Sequence, residues 1–229
     1  MKKRRFLYVF LALAALSLAC SLNPVDKIKD LVGGGDESGG EVSPQGKILL
    51  QDDFSNMGSG WEVGSFEYGA VGYGQGYYFV TSTASTMTMW GVAGVNFTDV
   101  IIDVDANQVS GPDSHDNDFG VVCRLQEDGS GYYMLVSGDG YYSIYMGVGE
   151  DFSPLVDWSE SKVIQQGNTP NHIRGVCDGN QLALYANGEK LAETSDATYS
   201  SGDIGLTATT YEDVTVEVHF TNLLATSPQ

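Results

Sequence analysis

Basic residues are scarce: 11 Lys and Arg stand against 30 Asp and Glu in the 229 residues, for a formal charge of −19. Four of the eleven, Lys2, Lys3, Arg4 and Arg5, open the chain. Without them seven basic residues face thirty acids, a formal −23, which argues against a basic surface for DNA, RNA or anionic head groups. Histidine is sparser still. His115, His172 and His219 show no His-x-x-x-His spacing for zinc, and no Gly-x-Ser-x-Gly turn presents a nucleophilic serine. Gly69, Gly72, Gly74 and Gly76 lack the spacing and the following helix of a phosphate cradle, and are read as strand-turning residues. Helical periodicity is almost absent. Its longest instance, VDKIKDLV from Val25 to Val32, is too short to hold a helix by itself.

Only three cysteines occur, Cys20, Cys123 and Cys177, and an odd number leaves one to be explained. Residues 1–19 read as an export leader. After the basic start, Phe6 to Leu18 is nearly all apolar but short for a bilayer span, and small Ala19 precedes Cys20. The stretch Leu16-Ser17-Leu18-Ala19-Cys20 resembles the lipobox of bacterial lipoproteins, with Ser17 where the usual Leu stands and Leu16 one step back. The resemblance implies a signal peptide cut before Cys20 and a lipidated thiol. Cys20 would then be a membrane anchor on the extracytoplasmic face of a bacterial membrane, at the cell surface or in the periplasm. An ordinary secretory leader is the alternative. Residues 20–46 continue as a Gly/Ser/acidic tether centred on GGGDESGG, which has too little apolar surface to fold.

The expected domain spans residues 47–225, followed by a tail at 226–229. Its pattern has period two. Val100, Ile102 and Val104 alternate with Ile101, Asp103 and Asp105, and Val214, Val216, Val218 and Phe220 alternate with Thr215, Glu217, His219 and Thr221. Asn187-Gly188 reads as a two-residue hairpin turn, and Gly138-Asp139-Gly140 as a second. These signals define an all-β fold, a two-sheet antiparallel sandwich of about a dozen strands. Cys123 shares a strand face with Phe119, Val121 and Leu125, and Cys177 shares one with Ile173. Both thiols therefore point to the apolar side and can pair in an oxidising compartment. Two buried free thiols are the alternative.

The segments DDFSNMGSGW, FGVVCRL, YYMLVSGDGYYSIY, HIRGVCDGNQLALYANGEKLAE and SGDIGLTA resemble the concanavalin A-like lectin/glucanase jelly rolls of bacterial lipoproteins. Laminin G-like domains and the domain named for 3-keto-disaccharide hydrolases are related to these. The resemblance implies a curved sandwich whose concave sheet is the usual place for carbohydrate. Glucanases of this fold carry Glu-x-Asp-x-x-Glu along one strand. The nearest match here, IIDVDANQ, supplies Asp103 and Asp105 but places Asn107 and Gln108 where a further acid is needed.

Three sets of residues are candidates for a site. Arg124 and Arg174 each adjoin a strand cysteine on the face opposite the thiol, which predicts two guanidinium groups sharing a ligand. Salt bridges to Asp103 or Asp105 account for them equally well. The loop GPDSHDNDFG crowds Asp113, Asp116, Asn117 and Asp118 into one turn, as calcium requires, although without EF-hand spacing. Tyr132, Tyr133, Tyr141, Tyr142 and Tyr145 flank a hairpin, and Tyr133 and Tyr142 are expected to stack on a sugar ring. The expected function is a non-catalytic, lipid-anchored module binding glycan or another extracellular polymer. A glycoside hydrolase of this fold and a purely structural envelope module are the alternatives. Replacing Cys20 with Ser should abolish fatty-acid labelling and shift the protein from the membrane to the soluble fraction, as read by metabolic labelling and fractionation.

Overall fold

A computed structural model describes residues 46–229; the leader, Cys20 and nearly all of the tether lie outside the described residues. The first strands are β1 (Ile48–Asp52), β2 (Gly64–Phe66), β3 (Gly69–Tyr73), β4 (Tyr78–Ser82) and β5 (Thr88–Val92). They are followed by β6 (Val100–Ser110), β7 (Asn117–Leu125), β8 (Gly131–Ser137), β9 (Tyr141–Val148) and β10 (Asp151–Glu160). The chain ends in β11 (Asn171–Asp178), β12 (Gln181–Ala186), β13 (Glu189–Ser195), β14 (Asp203–Thr210) and β15 (Val216–Thr226). Among the described residues there is no helix.

Two antiparallel sheets stack face to face. The nine-stranded sheet runs β13-β12-β11-β6-β15-β4-β3-β2, with β1 also paired to β15, and the six-stranded sheet runs β10-β9-β8-β7-β14-β5. Period-two burial aligns the sheets: Val100, Ile102, Val104 and Ala106 of β6 join Phe119, Val121 and Cys123 of β7 in one apolar core. Val214 lies outside β15 and is exposed. The expected turns form as read. Asn187 and Gly188 both have positive φ, 51° and 86°, as a two-residue I′ hairpin requires, and β8 and β9 pair across Gly138–Gly140.

Cys123 and Cys177 form a disulfide that joins the two sheets, with Cα atoms 6.6 Å apart. Its partners lie on β7 and β11, strands facing each other across the core. A close approach beside the bridge permits it. A Cβ on Gly175, two residues before Cys177, would lie 2.5 Å from Val121 Cγ2, so a bare backbone is needed there. The DDFSNMGSGW segment also has a structural role. Asp52 accepts hydrogen bonds from the Phe54 amide (2.8 Å) and the Ser59 hydroxyl (2.5 Å), and this turn tucks Phe54 and Trp61 against Tyr73 and Tyr78.

Strands β7 and β8 are buried along their whole length, which requires cover on both faces. The second cover is a smaller cluster of Val122, Leu125, Tyr133 and Leu135, flanked by Trp90, Tyr145, Phe152 and Trp158. At the sheet's edge, β10 shifts register on both sides of Val156, the first shift directly after Pro154. Reducing the disulfide, whose partners are separated by 54 residues, should lower unfolding free energy by about 4 kcal/mol in the chain-entropy account, measured by urea denaturation with and without reductant.

Candidate functional site

The outer face of the six-stranded sheet is assembled from residues that alternate with the core set. Register places Thr88, Thr209, Asp118 and Ser137 in one row across β5, β14, β7 and β8. The next row holds Trp90, Thr207, Gly120, Leu135 and Ser143, and the third Val92, Gly205, Val122, Tyr133 and Tyr145. Gly120 leaves the centre of this floor without a side chain. A Cβ there would lie 2.0 Å from the Met134 carbonyl oxygen. Edge strand β10 raises one wall, with Phe152 edge-on to Tyr133 at 5.0 Å and Trp158 tilted on Tyr145 at 6.0 Å.

Two depressions indent this face. One, of about 450 Å³, is lined by Asp116, Ser137, Asp139, Tyr141, Tyr145, Trp158 and Tyr211. The other, about 210 Å³, contains Asp118, Tyr133, Phe152 and Thr209, and shares Tyr145 and Tyr211 with the first. They therefore form one groove. A wider depression of about 640 Å³ lies around Leu125–Asp128, but its one aromatic, Tyr199, spends its hydroxyl on the Gly147 carbonyl.

Asp118 is the chemical centre of the groove. Its side chain is 1 % exposed; Oδ2 accepts the Tyr211 hydroxyl, and Oδ1 is sealed from solvent. Burial pushes its carboxyl up to about 6, against the opposing hydrogen bonds from Tyr211 and Thr209. Asp116, exposed at the rim, is also raised, by partial burial and then by the charges of Asp139 and Glu212. A carboxylate buried without a cation costs stability, and such costs concentrate at functional sites.

The expected arginine pair does not form. Arg124 has φ of 53° and is skipped in the β7–β14 register, where Asp203 pairs with Leu125 and Ile204 with Cys123. This is a β-bulge, which breaks the alternation that predicts its direction. Its guanidinium is 2 % exposed, and four of its five N–H groups donate, to the carbonyls of Thr98 (2.8 Å), Tyr199 (2.9 Å) and Gly179 (2.7 Å) and to Asp99 (3.1 Å). Arg124 thus laces loops together, and its burial withholds the guanidinium from a ligand. Arg174 sits on the other sheet, on its outer face, because the disulfide spans the sandwich and does not link neighbours within a sheet.

Arg174, Asp103 and Asp105 do come together there, around His172. Arg174 Nε lies 2.7 Å from Asp103, and His172 bridges Asp103 (3.1 Å) and Asp105 (2.8 Å). Asp103 holds the His172 imidazolium above the usual histidine range, against partial burial. Burial opposes ionisation of Asp103, yet its bonds from His172 and Arg174 keep it below the usual carboxylate range. This cluster is an ion-pair network on the sheet away from the groove. IIDVDANQ therefore is not the strand that corresponds to a groove, and on β7 the outward neighbours of Asp118 are Gly120 and Val122.

The tyrosine and calcium expectations are corrected likewise. Tyr142 faces the main core. Tyr133 is on the groove face but fully buried, with its hydroxyl given to the Gly129 carbonyl at 2.7 Å; it is floor and not platform. Asp113 and Asp116 are exposed, while consecutive strand residues Asn117 and Asp118 turn to opposite faces. Asn117 faces inward beside Gln108, both amide oxygens lying within 2.7 Å of where a Gly138 Cβ would sit. The four do not converge, and among the described residues no group of three or more His, Cys, Asp or Glu is placed to hold a metal.

Sequence reasoning missed Trp158, Phe152, Tyr211 and the groove role of Asp118. Opposite parity to Phe119 and Val121 marked Asp118 as outward, and the spacing of Phe152, Val156 and Trp158 offered a fainter sign.

No family model matches this chain, and no curated protein matches it. Solved structures do. A carbohydrate-binding module from Bacillus subtilis aligns at TM-score 0.53 with 16 % identity, covering 74 % of this chain and 96 % of that one. A Bacillus licheniformis β-glucanase aligns at 0.58 with 9 % identity, over 80 % of this chain and 100 % of its own. A Bacillus subtilis protein of unknown function with a galectin-like fold aligns at 0.59 with 11 % identity, over 80 % and 96 %. These similarities establish the fold: residues 46–229 form a concanavalin A-like jelly roll.

The raised carboxyl of Asp118 has a thermodynamic signature. Because the folded state holds this proton more tightly than the unfolded chain, its contribution favours folding below about pH 4 and is lost as pH rises through about 6. The rise from 3.8 to about 6 corresponds to about 3 kcal/mol. Asp118→Asn should therefore be more stable than the native protein at pH 7.5, by up to that amount, with the gap closing at pH 4. Urea titrations at the two pH values measure it.

Proposed function

We propose that this chain is an exported, lipid-anchored module that binds glycan in the groove on the outer face of the six-stranded sheet. The observation that carries the reading is the groove's lining, in which Tyr141, Tyr145, Trp158 and Tyr211 stand beside the carboxylates of Asp116 and Asp139, with Asp116 exposed. Carboxylates at the groove's rim accept hydrogen bonds from sugar hydroxyls, and aromatic rings cover the apolar face of a pyranose. Similarity to a carbohydrate-binding module and a β-glucanase supports the same reading. The lipobox-like stretch ending at Cys20 supports the anchor, and the Gly/Ser/acidic segment to residue 46 gives the domain reach from the membrane.

Hydrolysis is the second reading, favoured by one observation. A carboxyl raised to about 6 in the same groove as Asp116 and Asp139 resembles the acid of a two-carboxylate glycosidase. Binding is preferred because Gly120 and Val122 give β7 no second acid on that face.

A glycan array probed with the full-length protein tests the proposal. Trp158→Ala and Tyr145→Ala should each weaken retention on the positive glycans about tenfold or more, since a buried aromatic contributes about 1.5–3 kcal/mol. Arg174→Ala, on the opposite sheet, should leave retention unchanged. Release of new reducing ends from the bound glycans would establish hydrolysis, and an array without positives removes the glycan reading.

A further inference from the structure

We infer that His172 is a pH-operated clasp: as an imidazolium it ties β6 to the bulge of β15 at Asn222, and on losing one proton it frees that bulge and the β1–β15 pairing beyond it. The clasp lies on the outer face of the nine-stranded sheet and is independent of the groove.

Both ring nitrogens of His172 face carboxylates. Nδ1 lies 2.8 Å from Asp105 Oδ1, and Nε2 lies 3.1 Å from Asp103 Oδ1. An ionised carboxylate only accepts hydrogen bonds, so both nitrogens must donate, and the imidazolium alone carries a hydrogen on each. The bond to Asp103, aided by that to Asp105, holds this proton above the usual histidine range against partial burial. Arg174 is the other charged neighbour on β11, with Nε on Asp103. From β15 come the uncharged Thr221, opposite Asp105, and Asn222. The β12–β13 turn presents Asn187, whose Oδ1 accepts the His172 amide at 2.9 Å. Tyr185 of β12 and Lys190 of β13 lie in the row of Arg174, and His219, further along β15, is engaged by Glu217.

Loss of one proton leaves one ring nitrogen bare against a carboxylate, and the two acids do not yield equally. The Asp103 side chain is 8 % exposed and keeps Arg174. The Asp105 side chain is 37 % exposed, and its other partner among the described residues is Asn222. The remaining hydrogen therefore stays on Nε2 with the buried acid, and Asp105 turns to water. Asn222 Nδ2, 2.9 Å from Asp105 Oδ2, then loses its anchor. That anchor sits at a joint in β15. Asn222 has φ of 55°, and the β6–β15 register slips between Thr221 and Leu224, which is a bulge. Before it, Val216–Phe220 pairs with β4; after it, Leu223–Thr226 pairs with β1. β1 has five residues, of which Asp52 alone is buried, so its hold on β15 is the weaker of the two and opens first.

The folded state binds this proton more tightly than the unfolded chain, so the clasp is closed below about pH 6.5 and opens as pH rises through the His172 titration. Proton–nitrogen NMR on the full chain in detergent tests it. His172 should carry hydrogens on both ring nitrogens at pH 6, titrate with a midpoint above 6.5, and end as the Nε2–H tautomer. Amide exchange, corrected for intrinsic base catalysis, should quicken about tenfold or more in β1 and Leu223–Thr226 across the same titration, while β7 amides keep their rates. His172→Gln, uncharged at every pH, should exchange fast in that region throughout. Asn222→Gly should do the same with His172 still titrating. A midpoint at or below 6.5, or exchange without a step through the titration, overturns the inference. A step that persists in His172→Gln belongs to another group, and one that persists in Asn222→Gly does not pass through the bulge; either result overturns it. The native titration and Asn222→Gly decide the matter should His172→Gln not fold.

Discussion

The contact of β7 with β11 across the core is the constraint on which the molecule depends. Cys123 and Cys177 join there, and Gly175 lets the two backbones approach beside them. Once Phe119, Val121 and Cys123 are committed to that interface, strand geometry leaves Asp118, Gly120 and Val122 no choice but the opposite face. The groove floor is therefore fixed by the packing of the core beneath it. A buried carboxylate can persist at position 118 because the neighbouring inward residues hold the strand in place.

The two outer faces of the sandwich handle charge differently. On the nine-stranded sheet the acids Asp103 and Asp105 find His172, Arg174 and Asn222, so their charges are mutually satisfied and partly solvated. On the six-stranded sheet Asp118 receives a phenol and a neighbouring threonine but no cation. The first network is charge-balanced and partly exposed, and the second carboxyl is buried without a cation. Trp90, Tyr145, Phe152 and Trp158 gather around the second face, while Tyr77 stacks on His219 of the nine-stranded sheet.

How much of this could be read from the sequence depended on whether the alternation ran unbroken. The strands around Val100–Val104, the Asn187-Gly188 turn and the inward direction of Cys123 and Cys177 all follow from period two and turn chemistry, and the sandwich was legible from them. Arg124 was not, because a single extra residue in β7 swings it out of register and into the loops at the end of the sandwich. Tyr133 and Tyr142 could not be sorted into floor and core without the hairpin register, since neighbouring tyrosines look alike in a sequence. Trp158 was obscured by the slipping register of β10. The outward direction of Asp118 was visible, but its burial comes from β14, β9 and Tyr211, which are distant in the chain.

Edge strand β10 has a consequence of its own. Pro154 offers no amide hydrogen, and the pairing slips after it and again beyond Val156, so the free side of this strand presents a broken row of donors and acceptors. The opposite edge, β5, has five residues, and terminal β2 has three. Another chain meets short or interrupted templates at these three edges, while β13, the far edge of the nine-stranded sheet, presents seven residues that include charged Glu189, Lys190 and Glu193. Crowded copies, already repelling one another through their excess of acids, are thereby discouraged from growing into ribbons or fibrils.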